Sequence, residues 1–300
     1  ETMNSFLPEG LTPGVCPPED ARERLLLSRR NGLILEGQAL CCTAEHDLLV
    51  SYGGVTGRIP RTEAALGITE GVTKEIAILS RVGKSICFTV TQLPGCDPVS
   101  EPVFSRCAAQ RAALGHLSVL PIGSVLPAVV TRLEPFGSFL DVGCGVVTLL
   151  GLDAISVARI RHPADRFRVG QQIYVVLRGV DLARDRVWVS HKELLGTWSE
   201  NAARFTPGMT VTGRVCGVKS YGIFVELLPN LSGLAEPQEG ISEGDRVSVF
   251  LKAIQPERQK IKLLIIDRLP PDHAPPSLPY TQTSGVVTGW QYGLTSPPSP

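Results

Sequence analysis

A motif that recurs at a fixed distance constrains the fold of this chain more than any other feature of its sequence. Residues 136–139 (FGSF) and 221–224 (YGIF) each place a glycine and one small or branched residue between two aromatics, and the two copies lie 85 residues apart. The same offset aligns Asp141 with Glu226. A repeated segment of this kind indicates two copies of one structural unit.

The periodicity of each copy predicts short β-strands. Further along the chain the offset shortens to 74 residues, which aligns Gly170 with Gly244. Both copies alternate apolar and polar residues between Gly, Pro and Asp, over about 60 to 75 residues, enough for five strands. A small sheet avoids exposed edges by closing into a barrel. A fainter copy without the aromatic motif precedes them, so the sequence predicts an all-β protein with three tandem five-stranded barrels.

The segments outside the predicted barrels differ in composition, which predicts linkers and a tail. Helical spacing of apolar residues predicts short helical linkers, and a Pro, Ser, Thr and Gly-rich composition predicts disorder at the C-terminus. The predicted segments are an N-terminal arm with a helix at 1–29, a degenerate barrel at 30–96, a helical linker at 97–119, a barrel at 120–190, a helical linker at 191–205, a barrel at 206–269 and a disordered Pro-rich tail at 270–300.

Charge and composition limit the classes of function. With 29 Lys and Arg against 29 Asp and Glu, the net charge is zero, so a nucleic-acid site must be local. No apolar stretch reaches the roughly 18 residues of a membrane span, so no membrane partner is expected. Eight scattered cysteines show neither C-x-x-C pairs nor zinc spacing, which predicts reduced thiols, a cytoplasmic location and no metal, with disulfides as the alternative because the count is even.

Motifs for catalysis are incomplete. The sequence RVGKS at 81–85 resembles the end of a phosphate-binding loop, but Ile78 occupies the position of the required glycine. The sequence GCGVVT at 143–148 lacks the third glycine of a dinucleotide fingerprint, and five histidines are dispersed along the chain. The sequence therefore predicts a non-enzymatic protein without a cofactor or small-molecule substrate.

Longer segments carry a resemblance to a known family. The chain resembles the S1 RNA-binding domains, OB-fold barrels repeated in ribosomal protein S1, through PFGSFLDVG, VGQQIYVVLRGVDLARDRVWVSHKELLG and SYGIFVELLPNLSGLAE. More narrowly, it resembles small S1-related proteins of Firmicutes such as clostridia, through IPRTEAALGI, LDAISVARIRHPADRF and ELLGTWSENAARF. The resemblance covers roughly residues 30–269, and it implies an OB fold for each barrel.

The resemblance implies that the motif aromatics Phe136, Phe139, Tyr221 and Phe224 stack on RNA bases. In a flat strand, residues three apart point to opposite faces. We therefore hypothesise that the motif glycine takes a positive φ and bulges the strand, so that both rings share one face. The alternative is that each barrel simply buries two core aromatics.

Polar contacts are expected at the turn between the last two strands. The resemblance implies an Asp and a basic residue there, which are Asp181 and Arg186 in the second barrel and Gln255 and Lys260 in the third. The carboxylate would order the arginine, and the cations would contact phosphate or a base. The alternative is a solvated turn with a weak ion pair.

Two further features bear on RNA affinity. Family members often carry a histidine after the second aromatic strand, where this chain has Ala154 and Glu236, which predicts weak or altered binding. A basic loop at 158–168 is expected to contact phosphates, or else to be solvated and paired with acids. Its arginines are Arg159, Arg161, Arg166 and Arg168.

Together these features predict non-catalytic binding of single-stranded RNA, mRNA in particular, at or near the 30S ribosomal subunit. The first barrel has Leu48, Leu49 and Val50 where stacking rings would lie, so we expect it to be scaffold. The alternative is a structural or protein-interaction module whose degenerate barrels have little affinity for RNA.

Overall fold

In a computed structural model the chain folds into three successive five-stranded β-barrels, which confirms the predicted all-β fold class. The structure describes residues 6–11, 17–271 and 277–293. Helices in these residues are short, and none is long and apolar enough to cross a membrane. Seven cysteines in the described part are all free thiols.

The first barrel follows helix α1 (Pro18–Asn31), which Gly32 ends with a left-handed φ of 67°. Its elements are β1 (Leu35–Cys42), β2 (Leu48–Tyr52), β3 (Val55–Ile59), the short helix α2 (Ile76–Leu79), β4 (Ser85–Gln92) and β5 (Val103–Ser105). The strands close in the order β1-β2-β3-β5-β4, in which only β3 and β5 pair in parallel.

Strand β5 falls inside the segment 97–119, which the sequence analysis assigned to a helical linker. Three residues are too few to show an alternating pattern, so this strand escaped the periodicity analysis. Phe104 within it is fully buried, and its ring stacks on Phe88 with the centroids 4.3 Å apart. Helix α3 (Arg106–Val119) begins directly afterwards, where the Ser105 hydroxyl accepts a hydrogen bond from the Ala108 amide.

The second barrel carries one copy of the aromatic motif. Its elements are β6 (Val125–Glu134), β7 (Gly137–Asp141), β8 (Val147–Gly151), helix α4 (Leu152–Ile155), β9 (Gln172–Asp181) and β10 (Arg186–Ser190). The strands follow the order β10-β9-β6-β7-β8. The Thr148 hydroxyl of β8 donates to the Val187 carbonyl of β10, so the two edge strands nearly close the barrel.

The third barrel repeats this arrangement after helix α5 (Trp198–Ala202). Its strands are β11 (Thr210–Lys219), β12 (Gly222–Leu228), β13 (Leu231–Ala235), β14 (Arg246–Gln255) and β15 (Lys260–Leu269), closed in the order β11-β12-β13-β15-β14. Burial alternates as the pattern predicts: Val247, Val249 and Leu251 point inward from β14 and are fully buried.

Buried polar contacts hold the second and third barrels together. Arg166 lies in the loop between α4 and β9, and its guanidinium is 2.6 Å from the Glu226 carboxylate of β12, with both side chains buried. Asn230, 1% exposed, accepts from the Val157 amide and donates to the Lys192 carbonyl. The two aromatic motifs therefore belong to one packed unit.

Residues 277–293, which we call the C-terminal segment, pack against the second and third barrels, in contrast to the disorder predicted for 270–300. The Val287 amide donates to the Gly123 carbonyl at 2.8 Å, and Tyr292 packs against the core of the third barrel. Composition predicted disorder because Pro, Ser, Thr and Gly outnumber the few aromatic anchors. Residues 272–276 and 294–300 of the predicted tail lie outside the described residues.

Candidate nucleic-acid interface

The aromatic pair of the second barrel lies at its surface. Phe136 occupies the turn between β6 and β7 and is 58% exposed, while Phe139 points outward from β7 and is half-buried. Their ring centroids are 6.2 Å apart and the planes are nearly perpendicular, at 89°. The guanidinium of Arg132 lies over the Phe139 ring, 5.8 Å from its centroid. One ring is thus open to a ligand and the other supports it.

The third barrel reproduces this geometry. Tyr221 precedes β12 and is 65% exposed, and Phe224 is half-buried on that strand. The centroids are again 6.2 Å apart, with an angle of 90° between the planes. Because the same arrangement occurs twice, the exposed rings belong to the repeated unit and are not core aromatics that happen to reach the surface.

The glycine between the aromatics is required for close packing of strands and not for the positive φ that we hypothesised. Neither Gly137 nor Gly222 has a positive φ, so the bulge hypothesis is wrong. A Cβ on Gly137 would lie 2.4 Å from the Leu150 carbonyl oxygen of the neighbouring strand, so glycine is needed for close strand approach. The rings lie near each other because Phe136 lies in the turn and is free of the strand alternation that governs Phe139.

Apolar residues extend the outward face of the second barrel beyond the motif. Leu149 pairs with Phe139 across β7 and β8 and is 43% exposed. Trp188 lies between the buried residues Val187 and Val189 of β10 and is 49% exposed. Trp188 was not among the residues predicted from the sequence, although strict alternation along β10 places it outward. Strand β10 therefore adds a third aromatic side chain to the surface of this barrel, after Phe136 and Phe139.

The predicted side-chain contact between Asp181 and Arg186 does not occur, although the two residues lie opposite each other in the register of β9 and β10. Asp181 instead binds Arg184, with 3.0 Å between the charged atoms, and this hydrogen bond lowers the pKa of the aspartate. The turn satisfies Asp181 locally, since the carboxylate also accepts from the Ala183 and Arg184 amides. Arg186 opens β10 with an exposed side chain.

Arg186 also borders the first barrel. It lines a groove of about 590 Å³ together with Arg184 and with Arg81, which follows α2. In the third barrel Lys260 opens β15 in the corresponding position and is exposed. Each barrel that carries the aromatic motif therefore also presents an exposed cation at the start of its last strand.

The basic loop divides into arginines that face solvent and arginines that hold the structure. Arg166 is 1% exposed and pairs with Glu226, so it has a structural contact and is unavailable to RNA. Burial raises the pKa of Glu226, and the guanidinium opposes this shift. Arg161 is exposed but forms an ion pair with Glu243. Arg159 and Arg168 are both exposed at the surface.

The first barrel has no aromatic pair on its second strand. Leu48 and Val50 of β2 are fully buried and Leu49 is half-buried. At the turn before this strand, the imidazole of His46 lies 3.2 Å from the Glu75 carboxylate. This barrel therefore lacks the stacking surface of the other two.

Three successive five-stranded barrels define a tandem OB-fold protein, and two of them carry a surface aromatic pair. Residues 119–192 match the family model described as the S1 RNA binding domain, so the second barrel is an S1 domain. The chain is S1-like, which confirms the resemblance of its sequence.

Curated relatives are ribosomal proteins. The small ribosomal subunit protein bS1 of Leuconostoc lactis is 34% identical over 168 residues, covering 52% of this chain and 38% of that protein. The bS1 homolog of Bacillus subtilis is 30% identical over 191 residues, covering 59% of this chain and 50% of that protein. The chain thus spans half or less of the length of these two relatives.

A solved structure from Streptococcus pneumoniae, a multidomain protein with nucleic acid binding domains, is 16% identical. The match covers 78% of this chain and 73% of that chain, with a TM-score of 0.26.

Proposed function

We propose that this protein binds single-stranded RNA without catalysing a reaction, and that the second and third barrels supply the site. The observation that carries this proposal is the repeated aromatic pair, in which Phe136 and Tyr221 each expose more than half of their surface. Exposed rings stack on any base, and each stacked base contributes about 1–3 kcal/mol.

Exposed cations on the same two barrels support phosphate contacts, and one of them, Arg159, shares a groove with Phe136. Arg159, Arg168, Arg186 and Lys260 are all exposed on the two barrels that carry the aromatic motif. Because the net charge of the chain is zero, these local cations set the electrostatic contribution to affinity. The relatives named above are proteins of the small ribosomal subunit. We therefore propose a cytoplasmic role in translation, with mRNA and the 30S subunit as partners.

Titration of fluorescently labelled RNA against the full chain tests this function. We expect Phe136→Ala and Tyr221→Ala to weaken binding of a mixed-sequence RNA of about 16 nucleotides, each by about 5-fold or more. Ile122→Ala is a matched control, because Ile122 is 57% exposed but lies before β6, outside the aromatic pair. Equal affinities for all four proteins would reject the aromatic site, and no binding by the unmodified chain at low salt would reject the function.

A further inference from the structure

A groove lies beside Phe136 at the junction of the second barrel and the C-terminal segment. Its volume is about 610 Å³, and the side chains that matter for recognition are Phe136, Arg159, Lys192, Trp290 and Tyr292. We call it the junction groove. The aromatic pair of the second barrel is therefore continuous with a cleft that the C-terminal segment helps to build, and a cleft of this volume accommodates a small ligand.

The charged groups of the junction groove favour an anion. Arg159 is exposed and makes no ion pair with any described residue, and Lys192 donates to the main-chain carbonyl of Asp153 at 3.2 Å. The Asp153 carboxylate is the acid that lines the groove, so two cations face one anion. A phosphate group that enters the groove would meet a guanidinium suited to bidentate contact.

The aromatic wall of the groove is held in place from both sides. The Tyr292 hydroxyl donates to the Asn230 carbonyl at 2.7 Å, and the Trp198 amide donates to the Tyr292 carbonyl at 3.0 Å. The Trp290 ring lies 6.3 Å from the Tyr292 ring and is partly exposed. Since Tyr292 is tied to the third barrel, the main chain that carries Trp290 two residues earlier is held beside the groove, which lowers the entropy cost of stacking.

We propose that the C-terminal segment supplies Trp290 as an additional base-stacking residue of the RNA site. A strand that stacks on Phe136 continues into the junction groove, where the next base lies against Trp290 and its phosphate contacts Arg159. This inference rests on the proposed RNA-binding function and extends it to a segment outside the three barrels.

The test compares RNAs of two lengths on the full chain, in a Tyr221→Ala background so that binding reports on the second barrel. An RNA of about 2 nucleotides occupies the two rings of the aromatic pair, and one of about 8 nucleotides also reaches the junction groove. We expect Trp290→Ala to weaken the longer RNA by about 5- to 150-fold and to leave the shorter RNA unchanged. Arg159→Gln weakens the longer RNA and reduces the salt dependence of its binding.

Two variants control for the integrity of the C-terminal segment. Trp290→Phe keeps an aromatic ring and retains most of the affinity for the longer RNA. Gln291→Ala changes an exposed neighbour in the same segment that does not line the junction groove, and it binds both RNAs like the background protein. Equal losses for both RNAs in Trp290→Ala would assign Trp290 a purely structural role and overturn the inference, as would no loss for either. If the unmodified chain binds neither RNA at low salt, the proposed function itself fails; if only the Tyr221→Ala background fails to bind, the second barrel holds no RNA and this inference fails alone.

Discussion

At the residue scale, ring exposure separates the aromatics that can stack from those that hold the fold. Phe136 and Tyr221 are 58% and 65% exposed, whereas Phe104 and Phe167 are fully buried. A buried ring contributes to stability through its packing, and an exposed ring is available to a ligand. Aromatic residues therefore serve two separable roles in this chain: buried rings stabilise the fold, and exposed rings are available for stacking.

Truncation of these rings will affect stability to different degrees. We expect Phe136→Ala to leave the free energy of unfolding within about 0.5 kcal/mol of the unmodified chain. Phe167→Ala should lower it by about 3–5 kcal/mol, because the change opens a cavity in the second barrel. Urea unfolding of both variants measures the difference. If Phe136→Ala lowers the free energy of unfolding as much as Phe167→Ala does, Phe136 is a core residue and not a surface ring.

The glycine of the motif is expected to be intolerant of a methyl group. A Cβ at position 222 would lie 2.7 Å from the Ala235 carbonyl oxygen. We expect Gly222→Ala to destabilise the protein by about 1–3 kcal/mol. Gly115→Ala is the control, since no heavy atom lies within 4 Å of its Cβ position in α3, and alanine favours helix. Thermal unfolding that shows equal stability for both variants would contradict the close-approach explanation.

The sequence alone identified the aromatic motif but not the reason for its glycine. Spacing within one segment showed that Phe136 and Phe139 form a unit. The contact that demands glycine comes from Leu150, on a different strand, and only the folded barrel brings it close. Trp188 could have been found, because alternation along β10 places it outward.

At the element scale, the loop at 158–168 shows why a basic run in a sequence does not define a binding surface. Arg166 enters the junction between two barrels and Arg161 pairs with Glu243, while Arg159 stays exposed. The partners Glu226 and Glu243 lie 60 and 82 residues away in sequence. Pairing at this distance is invisible in the local pattern that predicted the loop.

Single substitutions in this loop should distinguish an arginine that contacts RNA from one that stabilises the fold. For Arg159→Gln we expect the slope of log affinity against log salt to fall by about 0.7, the value for one phosphate contact with single-stranded nucleic acid. Arg166→Gln should instead lower the free energy of unfolding by about 3–5 kcal/mol, because it leaves Glu226 buried without its partner. An unchanged slope for Arg159→Gln would place that arginine outside the RNA path.

The turn after β10 links stability to pH through His191, which is fully buried between Phe167 and Tyr280. Burial lowers the pKa of His191 to about 4, and the charge of Arg166 adds to this shift. The folded state therefore disfavours the protonated imidazole, which the unfolded chain accepts near its ordinary pKa of about 6.5. The contribution of neutral His191 to stability is complete above that pH and falls as the pH drops toward 4.

We expect this titration to lower the free energy of unfolding by on the order of 3 kcal/mol between about pH 6.5 and 4. His191→Gln should remove that part of the pH dependence, since glutamine does not titrate. Urea unfolding of both proteins across this range provides the measurement. Parallel pH profiles for the two proteins would show that His191 is already solvated or protonated in the fold.

At the scale of the whole molecule, the second and third barrels form a fixed pair that the C-terminal segment braces. Asn230 ties the third barrel to the Val157 amide, and Tyr292 ties the C-terminal segment to Asn230. The repeat in the sequence predicted the barrels, because alternation is a local property of each strand. The ordered structure of the C-terminal segment was not predictable from its composition, because it depends on contacts with two barrels that are distant in sequence.

The central claim is that two preformed aromatic pairs on this braced unit hold single-stranded RNA. The most direct measurement is RNA affinity of the full chain against salt, for the unmodified protein and for Phe136→Ala combined with Tyr221→Ala. We predict that the double variant loses affinity by about 2–6 kcal/mol from two stacked bases, while its salt slope stays unchanged because the cations remain. Unchanged affinity with an intact fold would contradict the claim.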